Sequence, residues 1–153
     1  MNDSQILSSD KFIEISKALA TSLMFQISDL SELYNTKNKN PYDELKDEWA
    51  IGYIYGWTHY LYQQSDFKDF ENGFFYIMYG IYSKWKISGL DNYSEHSDFF
   101  KKIENKIDEK NNSLYEGMCV GYKDSEHNFV NRKKKKGIKI SLQRFLLKKF
   151  KQY

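Results

Sequence analysis

Three histidines and one cysteine are the side chains of this sequence best suited to acid–base or nucleophilic chemistry. No linear motif pairs a nucleophile with a base, and nothing in the sequence places His59 and His127 together. Glycine, methionine and valine surround Cys119, which favours a packed position over the electropositive setting of a reactive thiolate. We therefore predict no catalytic residue, and an enzyme with a site around His59 is the third of three hypotheses.

Metal binding is suggested only by Glu95, His96 and Asp98, which are close together in the sequence. A structural zinc site needs several ligands at defined spacing, and the chain has neither a cysteine pair nor an HExxH pattern. The glycine pairs also lack the spacing and the following Lys-Ser/Thr of a phosphate-binding loop. We predict no metal and no cofactor.

The charges divide the chain into two unequal parts. Residues 1–131 contain 13 Lys and Arg against 21 Asp and Glu, a net charge of −8 that defines an acidic body. Residues 132–153 contain 10 Lys and Arg and no acid, and we call them the basic tail. Such an asymmetry bears on partners and association rather than on fold. We expect the tail to pack on the body as part of one domain.

The composition favours a helical protein, since 153 residues include one proline and 18% aromatic side chains. A single domain is the simplest division of this length. The opening MNDSQILSSD has no apolar segment typical of a secretory signal. A single cysteine agrees with a reducing compartment, and the longest uncharged stretches, 18–28 and 49–65, are short for a membrane span. We expect a soluble, cytoplasmic protein.

Apolar residues recur at three- and four-residue intervals in several segments, which is the helical period. The pattern predicts helices at about 10–35, 42–63 and 66–87. Asn40 and Pro41 predict the start of the second helix, and Asp66 with Asp69 predicts the start of the third. The apolar stripe of the third helix consists of Phe70, Phe74, Ile77, Met78, Ile81 and Trp85.

Two further helices follow, with serine as the predicted N-cap of each. Ser97 precedes a segment with Phe100, Ile103 and Ile107 on its apolar side. Ser113 and Glu116 match the S-x-x-E capping box that opens many helices. We predict a fourth and a fifth helix from these residues.

The segment AIGYIYGWTHYLY, residues 50–62, is apolar on every side of a helix. This pattern is typical of a central, buried helix. Gly52 and Gly56 form a shallow strip on it, and each glycine costs about 1 kcal/mol of helix propensity relative to alanine. Close packing of a neighbouring helix would offset that cost. The alternative is an aromatic pocket with His59 as a polar group.

The basic tail ends in a predicted amphipathic helix that begins near Ser141. Leu142, Phe145, Leu146 and Phe150 form its apolar stripe, and lysine and arginine occupy the other side. Packing of this stripe on the acidic body is the interpretation we favour. Binding to an anionic membrane surface or to a partner groove is less favoured, because only about 12 residues would be available.

These observations predict an all-α, single-domain bundle of five to six helices around a central helix at about 42–63. The preferred function is that of a small, non-catalytic interaction protein, an immunity protein or inhibitor that blocks a basic, nuclease-like toxin or enzyme. Negative charge speeds association with such a partner, and tyrosines suit interfaces. The predicted partner-binding residues are acidic: Asp43, Glu44, Asp47, Glu48, Asp66, Asp69 and Glu71.

The alternative function is nucleic-acid binding or regulation through the basic tail. Lysine and arginine neutralise phosphates with little sequence preference. The acidic body opposes this reading, because it would repel a polyanion. The residues predicted to bind nucleic acid are Arg132, Lys133, Lys134, Lys135, Lys136, Arg144, Lys148 and Lys149. A homo-oligomer is a further possibility for the glycine strip.

Overall fold

The computed structural model describes residues 9–66, 68, 72–87, 89–131 and 138–153. All regular secondary structure in these ranges is helical, which confirms the all-α prediction. The elements in chain order are α1 Ser9–Ser28, α2 Ser31–Asn35, a 3-10 helix Pro41–Lys46, α3 Glu48–Gln63, α4 Gly73–Lys84, α5 Tyr93–Glu109, α6 Ser113–Asn131 and α7 Ser141–Phe150. They form one bundle-like arrangement. No described helix combines the length and the apolar character required to cross a membrane.

The first predicted helix, 10–35, is two helices in the structure. The chain turns after α1, where the Leu30 amide donates to the Ile27 carbonyl oxygen at 3.1 Å. Tyr34 on α2 is fully buried, and its hydroxyl donates to the Leu146 carbonyl oxygen on α7 at 2.5 Å. Burial raises the pKa of Tyr34 to about 12. The turn therefore directs α2 against the C-terminal helix.

The central helix begins at Glu48 and not near residue 42. Pro41–Lys46 forms a 3-10 helix, opened by the Asn40 side chain, which accepts from the Tyr42 amide at 3.0 Å. Asp47 then adopts an extended backbone, and its carboxylate accepts from the Trp49 amide at 2.9 Å. An aspartate that bonds its own downstream amide favours a cap over the helix interior, which explains the later start.

α3 is buried along most of its length, on more than one side. Its buried residues are Ala50, Ile51, Gly52, Tyr53, Ile54, Gly56, Trp57, Thr58, Tyr60 and Tyr62. The larger apolar cluster joins α3 to α1, α4 and α7, and a smaller one formed by Ile51, Ile103 and Leu114 joins it to α5 and α6.

The glycine strip of α3 packs against a second glycine pair on α6. A Cβ atom added to Gly52 would lie 1.9 Å from the Leu114 carbonyl oxygen, and one added to Gly56 would lie 2.1 Å from that of Met118. The contact is reciprocal, because a Cβ on Gly117 would lie 2.0 Å from the Trp49 oxygen. The close helix contact expected from the glycine spacing is thus present, and it lies within one chain.

α3 and α6 run parallel to each other. Gly117 lies against Trp49, and Gly121, one turn later, lies against Tyr53, one turn later on α3. Both N-termini are therefore at the same end of the bundle. The positive N-terminal ends of two parallel helix dipoles repel each other. Glu48 and Glu116, in the first turns of α3 and α6, place negative charge beside those ends and reduce the repulsion.

The predicted serine caps of α5 and α6 are wrong. Asn92 caps α5, five residues before the predicted cap Ser97, and its side chain accepts from the Glu95 amide at 2.8 Å. Asn112 caps α6, and its side chain accepts from the Tyr115 amide at 2.8 Å. Ser97 lies inside α5. Asparagine at both positions offers an amide oxygen at the geometry that serine was expected to supply.

α4 is shorter than the predicted helix 66–87. It begins at Gly73, after Asn72 in the left-handed conformation (φ 59°), and ends at Lys84. Asp66 is exposed in the turn after α3. The other half of its predicted capping pair, Asp69, lies outside the described residues. Lys86 (φ 53°), also left-handed, follows α4 within the predicted range.

Candidate functional site

The acidic residues 43–48 make contacts within the chain. Asp47 pairs with Lys149 at 3.3 Å, and Glu48 forms an ion pair with Lys106 of α5. Glu44 accepts a hydrogen bond from the hydroxyl of Tyr153. Burial raises the pKa of Glu44, while the charge of Lys149 acts in the opposite direction.

The structure describes two of the four remaining members of the predicted acidic set, Asp43 and Asp66. Asp43 is exposed in the 3-10 helix, and Asp66 is exposed beyond the other end of α3. Asp69 and Glu71 lie outside the described residues. The structure therefore brings Glu44, Asp47 and Glu48 to one end of α3, where each already has a partner.

Among the predicted nucleic-acid residues, α7 carries Arg144, Lys148 and Lys149. Arg144 and Lys148 are exposed one turn apart, whereas Lys149 is half-buried against Asp47. Arg132, Lys133, Lys134, Lys135 and Lys136 lie outside the described residues. Asp47 of the predicted acidic set and Lys149 of the predicted basic set thus form an ion pair with each other.

The C-terminal helix is held by its apolar stripe and by a buried polar cluster. Leu142, Leu146 and Phe150 of α7 are buried. The polar cluster consists of Gln26, Tyr53 and Asp124, from three different helices.

Each member of this polar cluster bonds another member or the first turn of α7. The Tyr53 hydroxyl donates to the Asp124 carboxylate at 2.7 Å, and the Gln26 amide donates to the Tyr53 oxygen at 3.2 Å. The Asp124 carboxylate also accepts from the Ser141 amide at 3.1 Å, and the Gln26 oxygen accepts from the Gln143 amide at 3.2 Å. The first turn of α7 is therefore capped by side chains from α1 and α6.

His59 lies among aromatic rings rather than beside an acid or a nucleophile. Its ring centroid is 5.1 Å from that of Phe74, 5.9 Å from that of Tyr55 and 6.3 Å from that of Tyr122. Burial lowers the pKa of His59. A neutral imidazole can accept or donate a proton, but none of these neighbours supplies a second acid–base group active near neutral pH.

His96 is the most enclosed histidine of the described chain. It is 0% exposed, and its Nδ1 lies 3.2 Å from the Leu90 carbonyl oxygen, so Nδ1 carries the proton and donates. Its Nε2 has no hydrogen-bond partner. Burial lowers the pKa of His96 to about 4. No group of three or more His, Cys, Asp or Glu suited to a metal occurs in the described ranges, and this includes the neighbourhood of His96.

An aromatic surface between α4 and α5 is the feature that the sequence reading missed. Phe75, Tyr76, Tyr93 and Phe100 wall a cavity of about 240 Å³, which we call the aromatic pocket. Its remaining lining is polar and consists of Asn72, Ser97, Lys101 and Glu104. Tyr93 is 53% exposed, an unusual position for a large aromatic side chain.

A signal for this surface exists in the sequence. The apolar stripe expected for α4 leaves Phe75, Tyr76 and Tyr79 to one side of it. Three aromatic residues beside a stripe that already supplies the core need a second environment. They find it against α5, where the rings of Tyr79 and Tyr93 are 5.9 Å apart and those of Phe75 and Phe100 are 5.4 Å apart.

Comparison with known proteins adds no constraint on function. No protein-family model, curated protein or solved structure matches the chain. The candidate site accordingly rests on the geometry of the aromatic pocket and on the charges described above.

Proposed function

We propose that this chain is a non-catalytic interaction protein of the inhibitor or immunity class, which covers the basic site of a nuclease-like toxin or enzyme. The observation that carries the proposal is the aromatic pocket, with the exposed Tyr93 ring at its edge. Interfaces are enriched in tyrosine and other aromatics, because their rings bury area at low entropic cost. The net charge of −8 on residues 1–131 supports a basic partner.

The internal contacts of the acidic residues direct the proposed interface to the α4–α5 surface. Glu44, Asp47 and Glu48 have partners in their own chain, so a binding partner would have to displace those contacts. The α4–α5 surface requires no such displacement. Glu104 of α5 is exposed in the lining of the pocket and supplies a carboxylate there.

Photo-crosslinking at a single position tests the proposal. A benzoylphenylalanine at Tyr93 places a reactive ring at the edge of the aromatic pocket. The matched control carries the same group at Val130, which is exposed on α6 (62%) and distant in sequence from both α4 and α5. A third variant carries it at Lys148 on the basic tail. The variants are expressed in the cells that produce the protein and irradiated there.

The expected result is one protein captured through position 93 and not through position 130. That protein, once purified, should bind one equivalent of this chain and lose its activity at that ratio. Capture only through position 148, or capture of nucleic acid there, would overturn the proposal in favour of the basic tail. Binding at position 93 that leaves the partner fully active would overturn the inhibitor class.

A further inference from the structure

The volume of the aromatic pocket limits what it can hold. Pockets that enclose whole small molecules measure about 300–1,000 Å³. The aromatic pocket, at about 240 Å³, falls below this range. A single side chain or a small polar group is therefore the size of occupant that suits it.

The walls of the aromatic pocket favour a cation. The Phe75 ring is nearly perpendicular to three neighbours, with interplanar angles of 80° to Tyr76, 77° to Tyr93 and 87° to Phe100. The ring centroids of these pairs are 5.3, 5.5 and 5.4 Å apart, so the four rings contact one another and form a continuous aromatic wall. Aromatic faces carry negative charge density, and a cation close to several of them is stabilised.

An acidic group lines the same cavity. Glu104 makes no ion pair within the described residues, although Lys101 lies one turn before it on α5. Asn72, at the other side of the pocket, makes no capping hydrogen bond with its side chain at the start of α4. The Glu104 carboxylate, which has no ion pair within the described residues, and the Asn72 amide oxygen offer acceptors to a donor group that lies on the aromatic wall.

A guanidinium group satisfies these features better than an ammonium group. It is planar and stacks on aromatic rings, and its five N–H donors reach a carboxylate in the same plane. Lys101 makes the summed charge of the lining zero, so selection depends on ring stacking and directed hydrogen bonds more than on net charge. A compact, strongly hydrated ammonium gains less from such a lining.

We propose that the aromatic pocket binds the guanidinium group of an arginine side chain on the partner protein. This inference rests on the proposed function and specifies the chemistry of the same surface. The guanidinium group would lie on the outer side of these rings and donate to Glu104, with the aliphatic part of the arginine against Tyr93. Arginine is among the residues that most often dominate interface energies, which agrees with this role.

The test uses the purified full chain and a small probe, so that no partner is needed. Methylguanidinium is titrated while the aromatic side-chain signals are followed by NMR, and methylurea serves as the neutral planar control. A cation held by the aromatic wall together with the Glu104 carboxylate is expected to have a dissociation constant in the millimolar range. We expect saturable shifts of the four wall rings with methylguanidinium and none with methylurea.

Two matched variants locate the interaction. Glu104→Gln keeps the shape of the pocket and removes the charge, and we expect it to weaken methylguanidinium binding about tenfold. Glu109→Gln removes an exposed charge from the same helix outside the pocket and should leave binding unchanged. Equal shifts with methylurea, equal binding by Glu104→Gln, or no saturable shift in the millimolar range would overturn the inference.

The two proposals fail in different ways. If methylguanidinium does not bind but Tyr93 crosslinks to an inhibited partner, the arginine inference is wrong and the interaction function stands. If methylguanidinium binds as expected and position 93 captures no protein, the pocket recognises cations and the inhibitor function is wrong.

Discussion

Helices α3 and α6 meet backbone to backbone, whereas α4 and α5 meet through aromatic rings. In the first contact four glycines leave no room for even a methyl group. In the second, the rings line an open cavity, and a buried histidine nitrogen has no hydrogen-bond partner within the described residues. The comparison suggests a division of roles, because closely packed interiors tolerate little change and cavities accept other molecules. Four experiments test this division, beginning with the largest expected effect.

Substitution Gly52→Ala should produce the largest loss of stability. The added Cβ would lie 1.9 Å from a backbone oxygen, so the two helices must move apart. We expect the free energy of unfolding to fall by more than about 4 kcal/mol, the range associated with severe overpacking. Urea denaturation followed by circular dichroism measures the free energy of unfolding. A variant chain that does not fold at all would also agree with this prediction.

Gly89→Ala is the matched control for that substitution. Gly89 has a positive φ of 84°, but an added Cβ would meet its nearest neighbour at 3.7 Å. The expected cost is therefore only the left-handed conformation, about 1–2 kcal/mol. Similar losses for the two variants would contradict the view that the α3–α6 backbone contact is the most constrained part of the molecule.

Lowering the pH should destabilise the α4–α5 region through His96. The pKa of His96 is about 4 in the folded chain and 6.5 in its ordinary state, so the unfolded chain binds the proton first. Stability is complete above pH 6.5 and falls as the pH drops towards 4, by roughly 3 kcal/mol in total. Urea denaturation at a series of pH values measures the slope.

Two histidine variants show whether His96 causes that slope. His96→Leu removes the titrating group and should flatten the dependence between pH 6.5 and 4, with a residual slope of the same sign from His59, whose pKa is also lowered. His59→Gln should reduce the slope by less than His96→Leu does, because burial also lowers the pKa of His59 but His96 is the more enclosed imidazole. An unaltered slope in His96→Leu would show that the proton binds elsewhere.

Substitution Asp124→Ala tests the polar cluster that lies beside the α3–α6 contact. It leaves the Tyr53 hydroxyl and the Ser141 amide without their acceptor. We expect a loss of about 2 kcal/mol, typical of buried donors left unsatisfied. Hydrogen exchange should show that the amides of α7 lose protection first. Uniform loss of protection across all helices would contradict a specific role in holding α7.

Tyr93→Ser should have the smallest effect on stability and the largest on the proposed binding. The side chain is 53% exposed, so its removal should cost less than about 1 kcal/mol. Methylguanidinium binding should nevertheless become unmeasurable in the NMR titration, because one wall of the pocket is lost. A large loss of stability with binding retained would assign Tyr93 to the core.

The all-helical fold was predictable because helical periodicity and the scarcity of proline act locally. The close packing at Gly52 and Gly56 was predictable for the same reason, since two glycines on one helix face need a neighbour that compensates their cost. The identity of the neighbouring helix was not predictable, although Gly117 and Gly121 repeat the four-residue spacing of Gly52 and Gly56. Pairing of distant segments depends on tertiary packing that no local pattern specifies.

The start of α3 and the caps of α5 and α6 show where local reasoning was incomplete. Serine and proline predict helix starts that the structure does not use, because Asp47, Asn92 and Asn112 hold the first-turn amides instead. Helical periodicity places Phe75 and Tyr76 beside the core stripe but does not show what these rings face. Recognising the aromatic pocket required the position of α5, which brings Tyr93 and Phe100 to the same cavity.

The parallel arrangement of α3 and α6 also has a consequence for the rate of folding. Two parallel neighbours cannot be joined by a short turn, so residues 64–112 must return the chain from the end of one helix to the start of the other. Closing a loop of this length costs roughly 3–4 kcal/mol of chain entropy before the glycine contact forms. Helical proteins usually fold fast because their contacts are local, and this contact is not. The chain should therefore refold more slowly than its helix content suggests, with α3 and α6 acquiring protection from hydrogen exchange in the same step.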